Sequence, residues 1–496
     1  MPTLTEWIDF PTIGKQYFAT KTSQLENDAG FSAFGSHCFG AKWNKTTHKM
    51  SRTGDAAPIT TTVTNFAHRG SVNANYDNPF DSIYPWSGRR LCNVDIQAYK
   101  DLAAGSRLTA CVVAWEGDPD FSYSHANGVW VYTPEFWGRG YDDDGYRYFE
   151  VSDKAAGGWV HYPERIKGRW HGRTVTITLD GVETAVFLPV LGMPDKNISQ
   201  ATLHTRAKAY KGTLDNIFTV DADDLLCIVE FADMNIQSAL GQGCDSMYRQ
   251  SSDKFTADAT DSTTVRVAKS AGAAFCIPGA IFDIGTANGG TQVGSFQIIS
   301  VEEDGTDLVL TLDRATTVTT DNFWSVHGIC NVADADVGSK SGYIGTAGKS
   351  NAYYRGAVIY GNLWFYVLGA YRETGTQHIW IAANEDDADA ADALDTSKHI
   401  DTGLVLPSSN GYVKTLSLLE RSGLLSCPPF CTEVGGSSTD PVGDYFYTNS
   451  SAGNTALRVG GDATSGAFDG PFYGHWYSAA GSSLWTFAAR PVLKSP

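Results

Sequence analysis

Residues 460–490 read GGDATSGAFDGPFYGHWYSAAGSSLWTFAAR. Gly460-Gly461 is followed by four small or polar residues and Gly466, then by three more and Gly470-Pro471-Phe472. Twelve residues separate Phe472 from Trp485, and Arg490 closes the run. Glycines this closely spaced permit tight turns and close backbone approach. From Phe472 to Ser478 the residues alternate: Phe472, Gly474 and Trp476 fall on one side of an extended strand, and Tyr473, His475 and Tyr477 on the other. The rings of Phe472, Trp476 and Trp485 suit a core. The Tyr, His, Ser and Asp residues between them are expected to face water. That is a paratope-like composition, in which tyrosine supplies rigid amphipathic contact area and serine supplies adaptable hydrogen bonds.

The chain around this run has 496 residues, 42% hydrophobic and 19% charged, with 12% aromatics and 51 glycines. These values describe a globular, turn-dense, β-rich protein with enough length for two to four domains. The net charge of −18 disfavours a nucleic-acid partner, because no basic stripe offsets it. The N-terminus has no basic region followed by an apolar run, so no secretion signal is expected. No run reaches the roughly 18 apolar residues that a membrane helix needs. The nine cysteines are scattered and odd in number, which favours buried thiols over a disulfide framework. Cys427 and Cys431, in Ser-Cys-Pro-Pro-Phe-Cys, lack the partners of a zinc knuckle.

Residues 1–104 show short apolar-aromatic runs, such as Tyr17-Phe18-Ala19 and Ile83-Tyr84-Pro85-Trp86, broken by turn residues. Further on, Leu108–Trp115 reads as a buried strand, Gly128–Tyr132 as a second and Thr174–Leu179 as a half-buried third that turns at Asp180-Gly181. Two helices are expected: Ser199–Tyr210, and Ala222–Leu240 capped by Asp221 or Asp223. Residues 251–335 change to Thr, Val and Ile with regular turn signals, and read as an inserted small β-barrel or sandwich. The acidic run Asn384–Asp395 reads as a solvated loop or helix face. It and Asp142-Asp143-Asp144-Gly145 lack the ligand spacing of a known calcium loop, so no metal is expected.

The spacing of the 460–490 run resembles the C-terminus of the variable proteins of diversity-generating retroelements and their phage relatives. Those proteins have a C-type lectin fold of the type shared with the formylglycine-generating enzyme. Phe487 and Ala488 depart from that pattern, where isoleucine and glycine are usual. Gly361-Asn362-Leu363-Trp364-Phe365-Tyr366, Tyr353-Tyr354-Arg355-Gly356, Asn78–Trp86 and Pro134-Glu135-Phe136-Trp137 also resemble segments of such proteins. The resemblance covers most of 105–250 and 336–496. It implies a framework of Gly460, Gly461, Gly466, Gly470, Phe472, Trp476, Trp485, Arg490, Asn362 and Trp364. It implies ligand contacts at Asp462, Ala463, Thr464, Ser465, Ala467, Phe468, Asp469, Tyr473, His475, Tyr477, Ser478, Ser482, Ser483 and Leu484. All fourteen are residues that adenine mutagenesis of asparagine-type codons can produce, whereas Trp476 and Trp485 are not.

No nucleophile elbow, His-Glu-x-x-His, phosphate loop or dinucleotide fingerprint occurs. Cys427 and Cys431 have the wrong spacing for the copper-binding pair of the formylglycine-generating enzyme. His161 and His171, flanking an Arg-Trp-rich segment, read as hydrogen-bonded structural residues. His475 is a candidate for tuning binding with pH. The expected architecture is therefore α+β. It has a β-rich virion-docking segment (1–104), a lectin-like domain in two halves (105–250 and 336–496) and the β insertion (251–335). The expected function is a non-enzymatic, cofactor-free phage virion protein that binds a host-cell receptor. Multivalent display would supply avidity, with a homo-oligomer, a trimer above all, expected from the resemblance. A structural or decorative head protein and a glycan-processing enzyme are the competing readings.

Overall fold

The longest helix, Ile217–Phe231, starts where the Asn216 side chain accepts hydrogen bonds from the Phe218 and Thr219 amides while the Thr219 hydroxyl accepts from the Asn216 amide. This reciprocal cap satisfies amides that have no partner inside the helix. The cap is thus Asn216, not Asp221 or Asp223, and the helix does not run to Leu240. It stops at Ala232, whose φ of 50° is left-handed, and a separate short helix covers Gln237–Leu240. Every residue of the long helix except Phe218 is buried, including Asp221, Asp223, Asp224 and Glu230. The two cap candidates are thus enclosed within the helix rather than placed at its start.

The computed structural model describes residues 37–60, 78–154, 164–175, 177–179, 186–245, 247, 249–333, 340–346, 348–417, 430–449 and 453–495. Tyr17-Phe18-Ala19, His161, Asp180-Gly181 and Cys427 lie outside them. Strands outweigh helices, which makes the chain mainly β with a few helices. The helix expected at 199–210 is Gln200–Lys208, capped by Ser199.

Three large sheets lie outside 249–329, and the long helix packs on two of them, against Cys38–Asn44, Tyr146–Ser152 and Trp364–Arg372. A five-stranded sheet runs Met50–Gly54, Cys38–Asn44, Tyr146–Ser152, Phe136–Asp143 and Glu164–Ile166. A six-stranded sheet runs Thr213–Leu214, Pro491–Lys494, Arg169–Gly172, Trp130–Thr133, Arg90–Val94 and Val112–Trp115. A nine-stranded sheet has Trp364–Arg372 at its centre, beside Thr455–Val459, Gly474–Trp476 and Tyr445–Thr448. The C-terminal strand Pro491–Lys494 lies between Thr213–Leu214 and Arg169–Gly172, so the end of the chain is built into a sheet of mid-chain strands.

The expected break at 104 does not coincide with a break in packing. Cys38–Asn44 pairs with Tyr146–Ser152, and Arg90–Val94 sits between two strands from beyond residue 104. The Glu230 carboxylate, on the long helix, fastens the same region. It accepts from Arg355 Nε (2.7 Å) and Nη2 (2.8 Å), the Tyr354 hydroxyl (2.8 Å) and Asn78 Nδ2 (2.5 Å). Leu108–Trp115 is not one buried strand. A short 3-10 turn, Leu108–Cys111, leads into Val112–Trp115, an edge strand whose Val113 is exposed.

Within 249–329 the order of the six strands is Arg249–Lys254, Phe323–Ile329, Ala280–Gly285, Gly294–Asp304, Asp307–Val318 and Ala259–Ala268. A bridge from Phe255 to Val267 joins the first strand to the last, so the sheet closes on itself. Val265, Val267, Phe282, Leu310, Trp324 and Val326 fill its own apolar cluster. The acidic run is only partly solvated. Asn384 caps a short helix, Glu385–Ala390, and Asp392 meets His204 Nδ1 at 2.6 Å. Asp144 and Gly145, both at positive φ, turn the chain between two strands, and Asp142 is held by Arg147 (2.9 Å) and Lys45 (3.1 Å). Cys38 is half-buried and the other described cysteines are buried, all as free thiols. No helix among the described residues is long and apolar enough to cross a membrane.

Candidate functional site

Strand alternation sorts the 472–477 segment between two environments. Gly474–Trp476 pairs in parallel with Tyr445–Thr448 and antiparallel with Thr455–Val459, in the register Tyr447↔His475↔Arg458. On one face, Phe446, Phe472 and Trp476 enter the core around the long helix. On the other, Tyr445, Tyr447, Tyr473 and His475 join an aromatic row with Trp364 and Phe487. Trp364 meets Tyr473 edge-on at 4.5 Å and His475 at 4.8 Å, Tyr447 stacks on Tyr477 at 5.1 Å, and Tyr445 meets Phe468 at 4.5 Å.

This row floors an open cleft of about 510 Å³. Nine of the fourteen expected contact residues line it: Asp462, Thr464, Ser465, Phe468, Tyr473, His475, Tyr477, Ser478 and Leu484. Trp364, expected only as framework, forms part of the wall. Tyr445, Tyr447, Thr486 and Phe487 also line it and were not foreseen. The signal for the first two was the alternation Tyr445-Phe446-Tyr447, which by itself does not say which strand lies alongside.

Several expectations need correction. Tyr473 and His475 reach the cleft but are each only 5% exposed, because neighbouring rings cover them, whereas Tyr477 is 41% exposed. Ala463 is fully buried against Cys244 and Met247. Asp469 is fully buried beneath the loop, against Gly461 and Gly243. Ala467 and Ser483 are exposed, and Ser482 half-exposed, but none of the three lines the cleft. Trp485 is only half-buried, and its ring lies 4.3 Å from His327 of the closed β unit. His475 is a poor pH sensor. Burial, and then the Arg458 charge, push its imidazole well below the usual histidine range.

The rim is held by short-range bonds. Asp462 Oδ1 accepts from the Thr464 amide (3.1 Å), the Thr464 hydroxyl (2.7 Å) and the Ser465 hydroxyl (3.0 Å). Trp364 Nε1 donates to Asp462 Oδ2 at 3.3 Å. Asn362 bridges to Asp462 and bonds both backbone groups of Gly328, which ties the rim to the β unit. Gly461, at φ +79°, is obligatory: a Cβ there would come within 1.6 Å of Asp469 Oδ1. Arg458 pins the opposite side, donating to the carbonyls of Ser478 (3.1 Å) and Ala479 (2.8 Å), with its guanidinium 4.2 Å from the Phe487 ring centre. Burial lowers its pKa to about 10.

Arg490 lies away from the cleft and works as a buried ionic link. Its Nε meets Asp215 at 2.6 Å and its Nη2 meets Asp223 at 3.3 Å. Asp223 also holds Arg89 at 2.7 Å and His171 Nδ1 at 2.8 Å, in keeping with a structural role for His171. Burial alone would raise the Asp223 pKa, but Arg89, His171 and Arg490 together carry it well below the usual carboxylate range. A second cleft, of about 310 Å³, lies beside Lys494. Lys494 pairs there with Asp389 and Arg169 with Glu385, and none of the fourteen expected contact residues lines it. The larger cleft is therefore the candidate site. Family models and curated proteins offer no match to this chain.

Proposed function

We propose that this chain is a phage virion protein that binds a host-cell surface receptor through the 462–484 cleft, without catalysing a reaction. The observation that carries this reading is the gathering of Asp462, Thr464, Ser465, Phe468, Tyr473, His475, Tyr477, Ser478 and Leu484 around one cleft, above a floor of rigid aromatic strand residues. Aromatic side chains with few rotatable bonds make contact at low entropic cost. Exposed Thr464, Phe468, Tyr477 and Leu484 stand at the rim, where they can change without disturbing the core. A C-type lectin fold of the formylglycine-generating-enzyme type is the finer architecture we infer, from the spacing of the glycines, Trp485 and Arg490 and from the Gly361–Tyr366 segment. The non-enzymatic part of the proposal draws support from the lining, which has one carboxyl, Asp462, where glycoside hydrolysis uses two facing ones.

The test is a graft. Replacing the exposed cleft residues within 462–484 with those of another such segment is expected to redirect or abolish adsorption to the host while leaving particle assembly intact. Unchanged adsorption together with defective particles would instead indicate a decorative head protein. Release of sugar from host envelopes by the purified protein would indicate an enzyme.

A further inference from the structure

We infer that the ligand group this cleft accepts is a lysine side chain of a partner protein, its methylene stem on the aromatic wall and its ammonium at Asp462 Oδ2. The inference rests on the reading of the cleft as the recognition surface.

Charge is the first support. Asp462 is the only Asp, Glu, Lys or Arg among the residues lining the cleft, and no cation among the described residues pairs with it. His475 adds no compensating charge, since burial and Arg458 keep its ring neutral. Arg458 itself lies behind Phe487 and is committed to three backbone carbonyls, of Ala456, Ser478 and Ala479. The net charge of −18 also attracts cationic groups at long range.

The wall is the second support. Tyr447, Phe468 and Tyr477 present the accessible aromatic surface of the cleft, backed by the nearly covered Trp364 and Tyr473, and a cation is attracted to aromatic faces. A lysine stem buries its methylenes on apolar surface while its head stays polar.

Hydrogen bonding selects among cations. Oδ1 of Asp462 already accepts three bonds, and Oδ2 accepts only from Trp364 Nε1. That leaves room for a single N–H donor. A compact ammonium fits, a two-pronged guanidinium does not, and a quaternary ammonium has no N–H to give.

The experiment titrates the full-length protein with Nα-acetyl-lysine methylamide, its Nε-acetylated form, the norleucine analogue and choline, read by NMR at low ionic strength. The lysine probe is expected to bind, more weakly as salt is added. The acetylated and norleucine probes should be weaker by about tenfold or more. Asp462→Asn should lower lysine binding by a similar factor. Leu484→Lys, at an exposed rim position, should block it by placing the protein's own ammonium in the cleft, while the same added charge at the exposed edge-strand residue Val113, outside the cleft, should not. Equal binding of the norleucine probe, tighter binding of choline, or no effect of Leu484→Lys would overturn the assignment. Host adsorption separates the two claims. Adsorption that follows the cleft graft but ignores acetylation of host surface-protein lysines sinks the lysine assignment alone. Lysine binding that persists while grafts leave adsorption unchanged sinks the receptor reading alone.

Discussion

Single side chains set the sharpest limits. Asp223 pairs with Arg89 and Arg490 and bonds His171 in a buried setting. Asp223→Asn should therefore destabilise the protein by about 3–5 kcal/mol in denaturant unfolding, because it strands buried cations. Its depressed pKa gives the sign of the acid response. The stability it contributes is complete above the unfolded carboxylate value and is lost as pH falls through its lower folded value. Asp469 behaves in the opposite sense. Burial, then the charges of Asp462 and Asp444, raise its pKa well above 3.8, so its favourable contribution fades as pH rises through the folded value. Asp469→Asn is expected to match the parent protein near pH 4 and to exceed it in stability at alkaline pH, which thermal melts across pH would reveal. Gly461→Ala should cost more than about 1 kcal/mol in the same melts, since it adds a left-handed alanine to a collision with Asp469.

At the scale of elements, the strand Gly474–Trp476 shows how far alternation can be read. Its period-2 pattern correctly separated Phe472 and Trp476 from Tyr473, His475 and Tyr477, because successive side chains leave a strand on opposite faces. It did not reveal that Tyr445–Thr448 runs parallel beside it and covers Tyr473 and His475. The long helix was misjudged for a related reason. Asp221 or Asp223 was expected to cap it, whereas partners distant in sequence, such as Arg89 and Arg355, let Asp223 and Glu230 sit inside. Arg355→Lys should lower unfolding stability measurably, because lysine does not reproduce the paired contact of Nε and Nη2 with Glu230.

For the whole molecule, the closed β unit at 249–329 is joined to the rest by a few contacts of high consequence. Lys196 is buried and salt-bridged to Asp283 of that unit, His327 lies 3.4 Å from the same carboxylate, and Trp485 of the cleft-bearing segment rests on His327. Lys196→Met alone is expected to cost about 3–5 kcal/mol, whereas the double change Lys196→Met, Asp283→Leu should cost much less, a coupling that a double-mutant cycle measures directly.

The amino-acid order by itself determined what depends on neighbours within a few residues. It set the glycine turns of 460–470, the alternation of 472–477, the Ser199 cap and the compositional change that marks the closed β unit. Tertiary structure alone decided which charges are enclosed and which rings cover which. Burial is a property of residues far apart in the chain: Arg490 with Asp215, Tyr447 with His475, Asp469 with Gly461 and Gly243. Those pairings arise from how strands from distant segments are laid side by side, and local periodicity carries no record of that order.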